Sequence, residues 1–136
     1  MIIRTMLPSE FETVCEIANT SKFTKDLPYV ARKWHGENNI RVLIDNDEIV
    51  AYAYYVVTKY RDYVNLYWLG TKPGNTGKGY GKIFLSHIKS EALNSGKEYL
   101  HFKVGKKNEA KGFYEKLNFH PSSETEKEYI YIINIK

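Results

Sequence analysis

A glycine-rich basic loop lies in the middle of the chain, and its composition suits phosphate binding. Residues 64–68 before it are typical of a strand, and residues 83–92 after it are typical of an amphipathic helix. A strand, a glycine loop and a helix N-terminus together present backbone N–H groups and a positive helix end to an anion. We therefore predict a cradle for a phosphate-bearing cofactor within residues 71–85. Its glycines and lysines are Gly74, Gly77, Lys78, Gly79, Gly81 and Lys82.

The loop fits neither of two common nucleotide-binding motifs. A Walker loop requires Gly-Lys-Ser/Thr, but Gly77 and Lys78 are followed by Gly79. The dinucleotide fingerprint Gly-x-Gly-x-x-Gly also fails, because its last position falls on Lys82 or on Phe84.

An RNA-recognition strand is a further alternative for the same loop. Residues 78–81 match the opening of the RNP1 pattern of RNA-recognition motifs. However, Lys82 and Leu85 stand where the later aromatic residues are required. Small and apolar residues recur at positions 81, 84, 85, 88 and 92, which is the spacing of a helix. The RNA-binding interpretation therefore stays the weaker one.

Length and composition bound the class of protein. The chain has 136 residues, which suits one domain spanning residues 1–136. Cys15 is the single cysteine, so the sequence predicts a reducing compartment and no intramolecular disulfide. Residues 1–10 lack the apolar run of a signal peptide, and no stretch reaches the roughly 18 apolar residues that span a bilayer. We expect a cytoplasmic protein with no membrane partner. The net charge of +4 weakly favours anionic partners, with nucleic acid among them.

Hydrophobic periodicity predicts an α/β (α+β) domain in the order β-α-α-β-β-β-α-β-α-β. Residues 11–18, 27–34 and 110–117 carry helical stripes, and Gly96 can end the helix after the glycine loop in a left-handed conformation. Residues 49–57 are almost continuously apolar, which indicates a central strand covered on both faces. We expect a mixed, mostly antiparallel sheet flanked by helices. The other predicted strands are residues 2–3, 40–44, 63–69, 99–104 and 129–135.

The loop and a later segment together resemble the GCN5-related N-acetyltransferase (GNAT) family. The family's acetyl-CoA loop is written Gln/Arg-x-x-Gly-x-Gly/Ala, with a proline six residues before its first glycine. Gly79 and Gly81 match these glycines and Pro73 matches the proline, while Thr76 replaces Gln or Arg. Residues 113–119, Phe-Tyr-Glu-Lys-Leu-Asn-Phe, are similar to the helix-four signature Phe-Tyr-Glu-Lys-Leu-Gly-Phe. The resemblance is specific over residues 64–119 and topological before them.

This resemblance implies an acetyl-CoA-dependent N-acetyltransferase with the GNAT fold, acting by direct attack within a ternary complex. The acceptor would be a primary amine on a small molecule, a peptide or protein, or a modified nucleic acid. No metal is implied, and the protein would be a monomer or a homodimer. In the family, the pantetheine arm lies in a gap between two splayed strands, contacting backbone at the positions of Leu69 and Thr71. The full set of implied CoA-binding residues is Leu69, Thr71, Thr76, Gly77, Lys78, Gly79, Tyr80, Gly81, Lys82, Asn108 and Tyr114.

The resemblance also assigns catalytic positions. Tyr114 matches the family tyrosine that points at the CoA sulfur, so it is the expected general acid. Asn65 stands where the histone-acetylating branch has a glutamate base; an amide cannot take a proton, so we expect Asn65 to order a water. His101 lies off the apolar face of its strand and is interpreted as a surface or partly buried histidine, with the role of base as the weaker alternative. Asn108 is one residue closer to Tyr114 than the family's pantetheine-binding asparagine, and Lys107 occupies the usual position.

The sequence says least about which acceptor is used and about whether the protein is catalytically active. Residues 19–36 and 121–128 would flank the acceptor cleft. The missing carboxylate at Asn65 and the shifted Asn108 leave open a non-catalytic acyl-CoA-binding or interaction module on the same fold. Candidate cleft residues are Tyr52, Tyr54, Tyr63, Tyr67, Glu124, Glu126 and Glu128.

Overall fold

The structure, a computed structural model, describes residues 1–21, 24–34, 39–75 and 77–136. A short 3-10 turn, Pro8–Glu10, precedes the first helix. The α-helices are α1 (Phe11–Ala18), α2 (Leu27–Trp34), α3 (Tyr80–Asn94) and α4 (Ala110–Lys116). The strands are β1 (Ile2–Thr5), β2 (Ile40–Asp45), β3 (Glu48–Val57), β4 (Tyr63–Thr71), β5 (Tyr99–Gly105), β6 (Ser123–Glu124) and β7 (Glu128–Asn134).

The strands form a seven-stranded sheet in the order β1-β2-β3-β4-β5-β7-β6. The pairs β1–β2, β2–β3, β5–β7 and β6–β7 are antiparallel, and β4–β5 is parallel. The predicted mixed, mostly antiparallel sheet with helices is thus confirmed. The predicted elements are all observed in the predicted order, and the structure adds one short strand, β6. This strand has only two residues, both exposed and polar, so it carries no apolar alternation.

The chain divides into two compact units, and the prediction of a single domain stays a prediction. The first unit consists of residues Met1–Tyr55 and Trp68–Ile88, and the second of Val56–Tyr67 and Lys89–Lys136. Within the described parts of both units, no helix is long and apolar enough to cross a membrane. The cytoplasmic location also stays a prediction.

The core of the first unit is built on β3 and α1. Every side chain of β3 from Val50 to Tyr55 is buried, as the unbroken apolar run predicted. The predicted stripe of α1 is buried as well, with Cys15 among its residues. Burial raises the pKa of the Cys15 thiol, which suits a small core residue rather than a nucleophile.

A tight hairpin turn joins β2 to β3 in this unit. Asp45 pairs with Glu48, so the loop contains only Asn46 and Asp47. Both have positive φ, 52° and 61°, which matches a type I′ turn. Asn and Asp are the non-glycine residues that tolerate this conformation best. The hairpin therefore fixes the position of Asp45 at the end of β2.

The second unit has a core of stacked aromatic rings. The ring centroid of Phe102 lies 4.5 Å from that of Tyr114 and 4.6 Å from that of Tyr131. Helix α4 ends at Lys116, and Asn118 just beyond it has a φ of 61°. The Phe119 N–H donates to the Tyr114 carbonyl. Asparagine thus takes the left-handed position that glycine holds in the family signature. The predicted left-handed Gly96 is confirmed too, with a φ of 77°.

Candidate functional site

A cleft opens in the second unit where the pairing between β4 and β5 ends. The two strands pair in parallel only from Tyr63 opposite Tyr99 to Asn65 opposite His101, although both continue beyond. This is the pair of strands for which the family resemblance predicts a gap. The cleft has a volume of about 360 Å³ and is lined by Asn65, Leu66, Tyr67, His101, Phe102, Lys103 and Glu128.

The last paired residues, Asn65 and His101, are joined by a side-chain hydrogen bond at the base of this cleft. Nδ1 of His101 lies 2.7 Å from Oδ1 of Asn65. A carboxamide oxygen can only accept, so Nδ1 carries the proton and donates it. Burial, with a smaller effect of the Lys103 charge, lowers the pKa of His101 below its ordinary value. The imidazole is therefore neutral at pH 7, with a lone pair on Nε2.

Tyr114 lies behind the wall of the cleft, against the cleft residue Phe102. It is 6% exposed, and burial raises its pKa well above the usual range of a phenol. Its hydroxyl therefore keeps its proton at all physiological pH values. Tyr131 is also stacked on Phe102, and it has a buried hydroxyl without a hydrogen-bond partner among the described residues. This part of the core thus holds phenol groups that can donate protons.

The glycine loop belongs to the first unit, and two of its glycines have left-handed backbone conformations. Gly77 and Gly79 have φ values of 85° and 81°, a region that other residues rarely enter. A Cβ built on either glycine would meet nothing within 4 Å, so the space above both is open. The Ile83 N–H donates to the Gly79 carbonyl over 3.0 Å, which places residues 80–82 in the first turn of α3. The N–H groups of a first turn have no acceptor within their helix.

The side chains of the loop differ in what they can offer a ligand. Lys78 and Lys82 are exposed, and Nζ of Lys78 lies 3.0 Å from Oδ1 of Asn75. The hydroxyl of Tyr80 donates to Oδ2 of Asp45 over 2.7 Å, and the ring is buried. The phenol is thus engaged within the protein.

The remaining predicted CoA-binding positions are distributed along the chain. Leu69 and Thr71 are half-buried near the end of β4, and Gly81 is half-buried in the first turn of α3. The position of Thr76 lies outside the described residues. In the second unit, Oδ1 of Asn108 accepts a hydrogen bond over 2.9 Å from the N–H of Ala110, the first residue of α4. Because Oδ1 is used in this way, the Asn108 group expected to contact CoA is its side-chain amide nitrogen.

The candidate acceptor residues have different surroundings. Glu128 and Tyr67 line the cleft, whereas Tyr52 and Tyr54 are fully buried in the first unit. Glu124 forms a 2.7 Å ion pair with Lys106, which lowers its pKa and offsets its charge. Glu126 is exposed.

Sequence reasoning missed the pairing of Asn65 with His101. The only available signal was that both residues face away from the apolar side of their strands. The parallel register that brings them together cannot be read from alternation alone. As for metals, the described ranges contain no group of three His, Cys, Asp or Glu residues placed to hold an ion.

In comparisons with known proteins, the chain matches a protein-family model and is similar to a curated phage enzyme. Residues 36–121 match the family model described as Acetyltransferase (GNAT) domain. The chain is 28% identical over 131 residues to the 5-NmdU N-acetyltransferase of Pseudomonas phage PaMx11. The match covers 92% of this chain and 91% of the phage protein.

Solved structures show the same fold at low identity. The ribosomal-protein-S18-alanine N-acetyltransferase of Escherichia coli aligns with a TM-score of 0.81 and 20% identity, covering 99% of this chain and 94% of that one. The PaiA N-acetyltransferase of Thermoplasma acidophilum, solved in complex with coenzyme A, aligns with a TM-score of 0.77 and 15% identity. That match covers 98% of each chain.

Proposed function

Because the chain belongs to the GNAT acetyltransferase family, we propose that it transfers the acetyl group of acetyl-CoA to a primary amine by direct attack within a ternary complex. The observation that carries this proposal is the cleft at the end of the β4–β5 pairing. It combines an apolar wall at Phe102 with a neutral imidazole at His101 and a carboxylate at Glu128. These are the groups that an amine acylation needs, since the amine must be attracted, deprotonated and shielded from water.

The glycine loop is proposed to hold the phosphates of acetyl-CoA. The space above Gly77 and Gly79 is open, so an anion can approach the backbone there. A side chain at either position would occupy this space. The N–H groups of residues 80–82 and the positive end of α3 would bind the pyrophosphate, with Lys78 and Lys82 adding charge. Acetyl-CoA itself supplies the thioester carbonyl that the amine attacks.

Backbone and side-chain groups would then serve the chemistry. An N–H of Leu69 or Thr71 would polarise the thioester carbonyl, a contribution worth about 3 kcal/mol when such a donor is aimed at the developing oxyanion. Tyr114 would donate a proton to the leaving sulfur, whose thiol has a pKa near 8.5 in its free form. A raised pKa keeps this phenol protonated before each turnover.

The acceptor proposed for the first test is 5-NmdU. Its support is the N-acetyltransferase of phage PaMx11, which matches 92% of this chain. The net charge of +4 is compatible with an acceptor that carries phosphates. Glu128 in the cleft suits the cationic amine itself. Simple amines, peptides and tRNA complete the acceptor panel.

Two measurements test the function. Thermal unfolding with and without acetyl-CoA measures binding, since a ligand at 100 times its Kd stabilises by about 2.7 kcal/mol. Release of free thiol from acetyl-CoA, followed with each acceptor and checked by product mass, measures transfer. No stabilisation at millimolar acetyl-CoA would refute CoA use altogether. Stabilisation without thiol release on any acceptor would instead favour the alternative of a non-catalytic acyl-CoA-binding module.

A further inference from the structure

We propose that His101 is the general base of the transfer and that Asn65 is the residue that fixes its tautomer. This inference rests on the proposed function and names the group that removes the proton from the acceptor amine. An alkylammonium has a pKa near 10.4, so little free amine is present at neutral pH without a base. Asn65 occupies the position expected for that base but cannot accept a proton on its amide.

Geometry assigns the role to the imidazole. The hydrogen bond from Nδ1 of His101 to Oδ1 of Asn65 uses one ring nitrogen and leaves Nε2 as the acceptor. His101 also lines the cleft, directly where the two parallel strands stop pairing. A histidine base held by a second side chain through its other nitrogen is an arrangement that keeps the reactive nitrogen in one orientation.

The surroundings of His101 keep it neutral and able to accept. From β4, the ring of Tyr63 lies 5.5 Å away, and Asn65 and Tyr67 share the cleft wall. On β5, Lys103 lies on the same face and disfavours a second positive charge. On β7, its register partner is the apolar Ile132, and Glu128, whose carboxylate would favour an imidazolium, also lines the cleft.

The proposed step balances in atoms and protons. The acceptor ammonium gives one proton to Nε2 of His101, directly or through one water, and its lone pair forms the N–C bond to the thioester carbonyl carbon. The C–S bond breaks, and the leaving sulfur takes the hydroxyl proton of Tyr114. The second ammonium proton passes to the Tyr114 oxygen through water, and the imidazolium releases its proton to solvent. The products are the amide, the CoA thiol and one proton.

The hydrogen bond can be tested without any turnover. In the full chain labelled with ¹⁵N, histidine NMR spectra report the tautomer and the pKa of each ring. We expect His101 in the Nδ1–H form with a pKa below the usual value near 6.5. In Asn65→Asp, a carboxylate faces Nδ1–H, so the His101 pKa should rise by about one unit or more. The NMR signals of the exposed His120 should be the same in this variant as in the wild type.

Kinetics then test the role of the base. His101→Gln should lower kcat about 100-fold or more, which is the usual contribution of a general base, while the acetyl-CoA stabilisation is unchanged. In the same variant, the plot of log kcat against pH should no longer fall at acidic pH, where the wild-type plot has its acidic limb. In Asn65→Asp that limb should move to higher pH by the same amount as the His101 pKa measured by NMR. The matched control is His120→Gln, which should keep both the rate and the limb.

Each outcome decides the proposal. An Nε2–H tautomer in the wild type, or a His101→Gln variant with the wild-type rate and pH profile, overturns it. An acidic limb that stays in place in Asn65→Asp overturns the positioning role of Asn65. If the wild type binds acetyl-CoA but transfers to no acceptor, the proposed function fails and the base role fails with it. Because NMR reports the His101 tautomer without turnover, it shows whether the hydrogen bond from Nδ1 of His101 to Asn65 exists even if the proposed function fails.

Discussion

Replacing Gly79 by alanine, and comparing it with Gly96→Ala, distinguishes the effect of a left-handed glycine on stability from its proposed effect on acetyl-CoA binding. Gly79 and Gly96 have nearly the same backbone, with φ values of 81° and 77°, and a Cβ on either meets nothing within 4 Å. Alanine in this left-handed region costs about 1–2 kcal/mol, and no clash adds to it. We therefore expect Gly79→Ala and Gly96→Ala to lower the free energy of unfolding by similar amounts.

Only Gly79→Ala should weaken acetyl-CoA binding. Its methyl group enters the open space that the cradle offers to the pyrophosphate, and it pushes the phosphate away from the N–H groups of residues 80–82. A hydrogen bond to a charged group contributes about 1.5–3 kcal/mol. Losing one such bond raises the Kd about 10-fold to 150-fold, since each 1.4 kcal/mol is a factor of ten.

Two assays give these quantities. Urea unfolding measures the stability of the two variants, and isothermal titration with CoA measures the Kd at a temperature where both are folded. The cradle model is refuted if Gly79→Ala and Gly96→Ala bind CoA equally well. It is also refuted if Gly96→Ala, at the C-terminal end of α3, shows the larger loss of affinity.

Three further changes have defined outcomes. Tyr114→Phe should lower kcat about 100-fold or more, because the general acid is lost, with the Kd for CoA unchanged; single-turnover kinetics and titration check the two values. Gly70→Ala should lower the free energy of unfolding by about 1–3 kcal/mol, because its Cβ would lie 2.6 Å from Cε1 of the buried Tyr52 ring. The Arg4 ion pair lowers the pKa of Glu10, so its stabilisation is present above the ordinary pKa near 4.3 and is lost as the pH falls through the lower folded value. Urea unfolding of Arg4→Ala and wild type from pH 3 to 7 should show the two curves converging at the acid end.

Each of these changes has its own control. Unchanged turnover in Tyr114→Phe would show that this phenol is not the acid. Gly112→Ala is the contrast for Gly70→Ala, because it lies in α4 with open space around its Cβ. It should raise stability by about 0.5–1 kcal/mol, since alanine favours a helix. A difference between Arg4→Ala and wild type that stays constant with pH would contradict the ion-pair explanation.

Local patterns were enough to predict most elements of the fold. The apolar spacing of residues 11–18 and the unbroken run of β3 each correspond to an observed element with the expected burial. Strand β6 could not be predicted, because two exposed polar residues form a strand only by pairing with Tyr129 and Ile130 of β7. The left-handed Asn118 also has a local cause, since asparagine tolerates the conformation that glycine usually takes at a helix end.

The site depends more on contacts between distant residues. The sequence identifies Asn65 and His101 as polar strand residues, but their hydrogen bond spans 36 positions and exists only in one register of β4 against β5. The same holds for Tyr80, whose hydroxyl bonds Asp45 across 35 positions. Periodicity reports which face a side chain takes, whereas strand register decides which partner it meets.

The bond between Tyr80 and Asp45 has a practical consequence for exchanging parts between proteins of this kind. Asp45 ends β2 and is held by the two-residue turn at Asn46 and Asp47, so this turn determines where the first turn of α3 is anchored. A chimera that receives residues 71–85 from a relative therefore needs residues 45–48 from the same source. A donor loop placed on the host hairpin would have the donor's sequence, but the N–H groups that we propose to bind phosphate would be anchored at a different position. We therefore expect cofactor affinity to depend on two segments that are separate in sequence, so that both must be transplanted together.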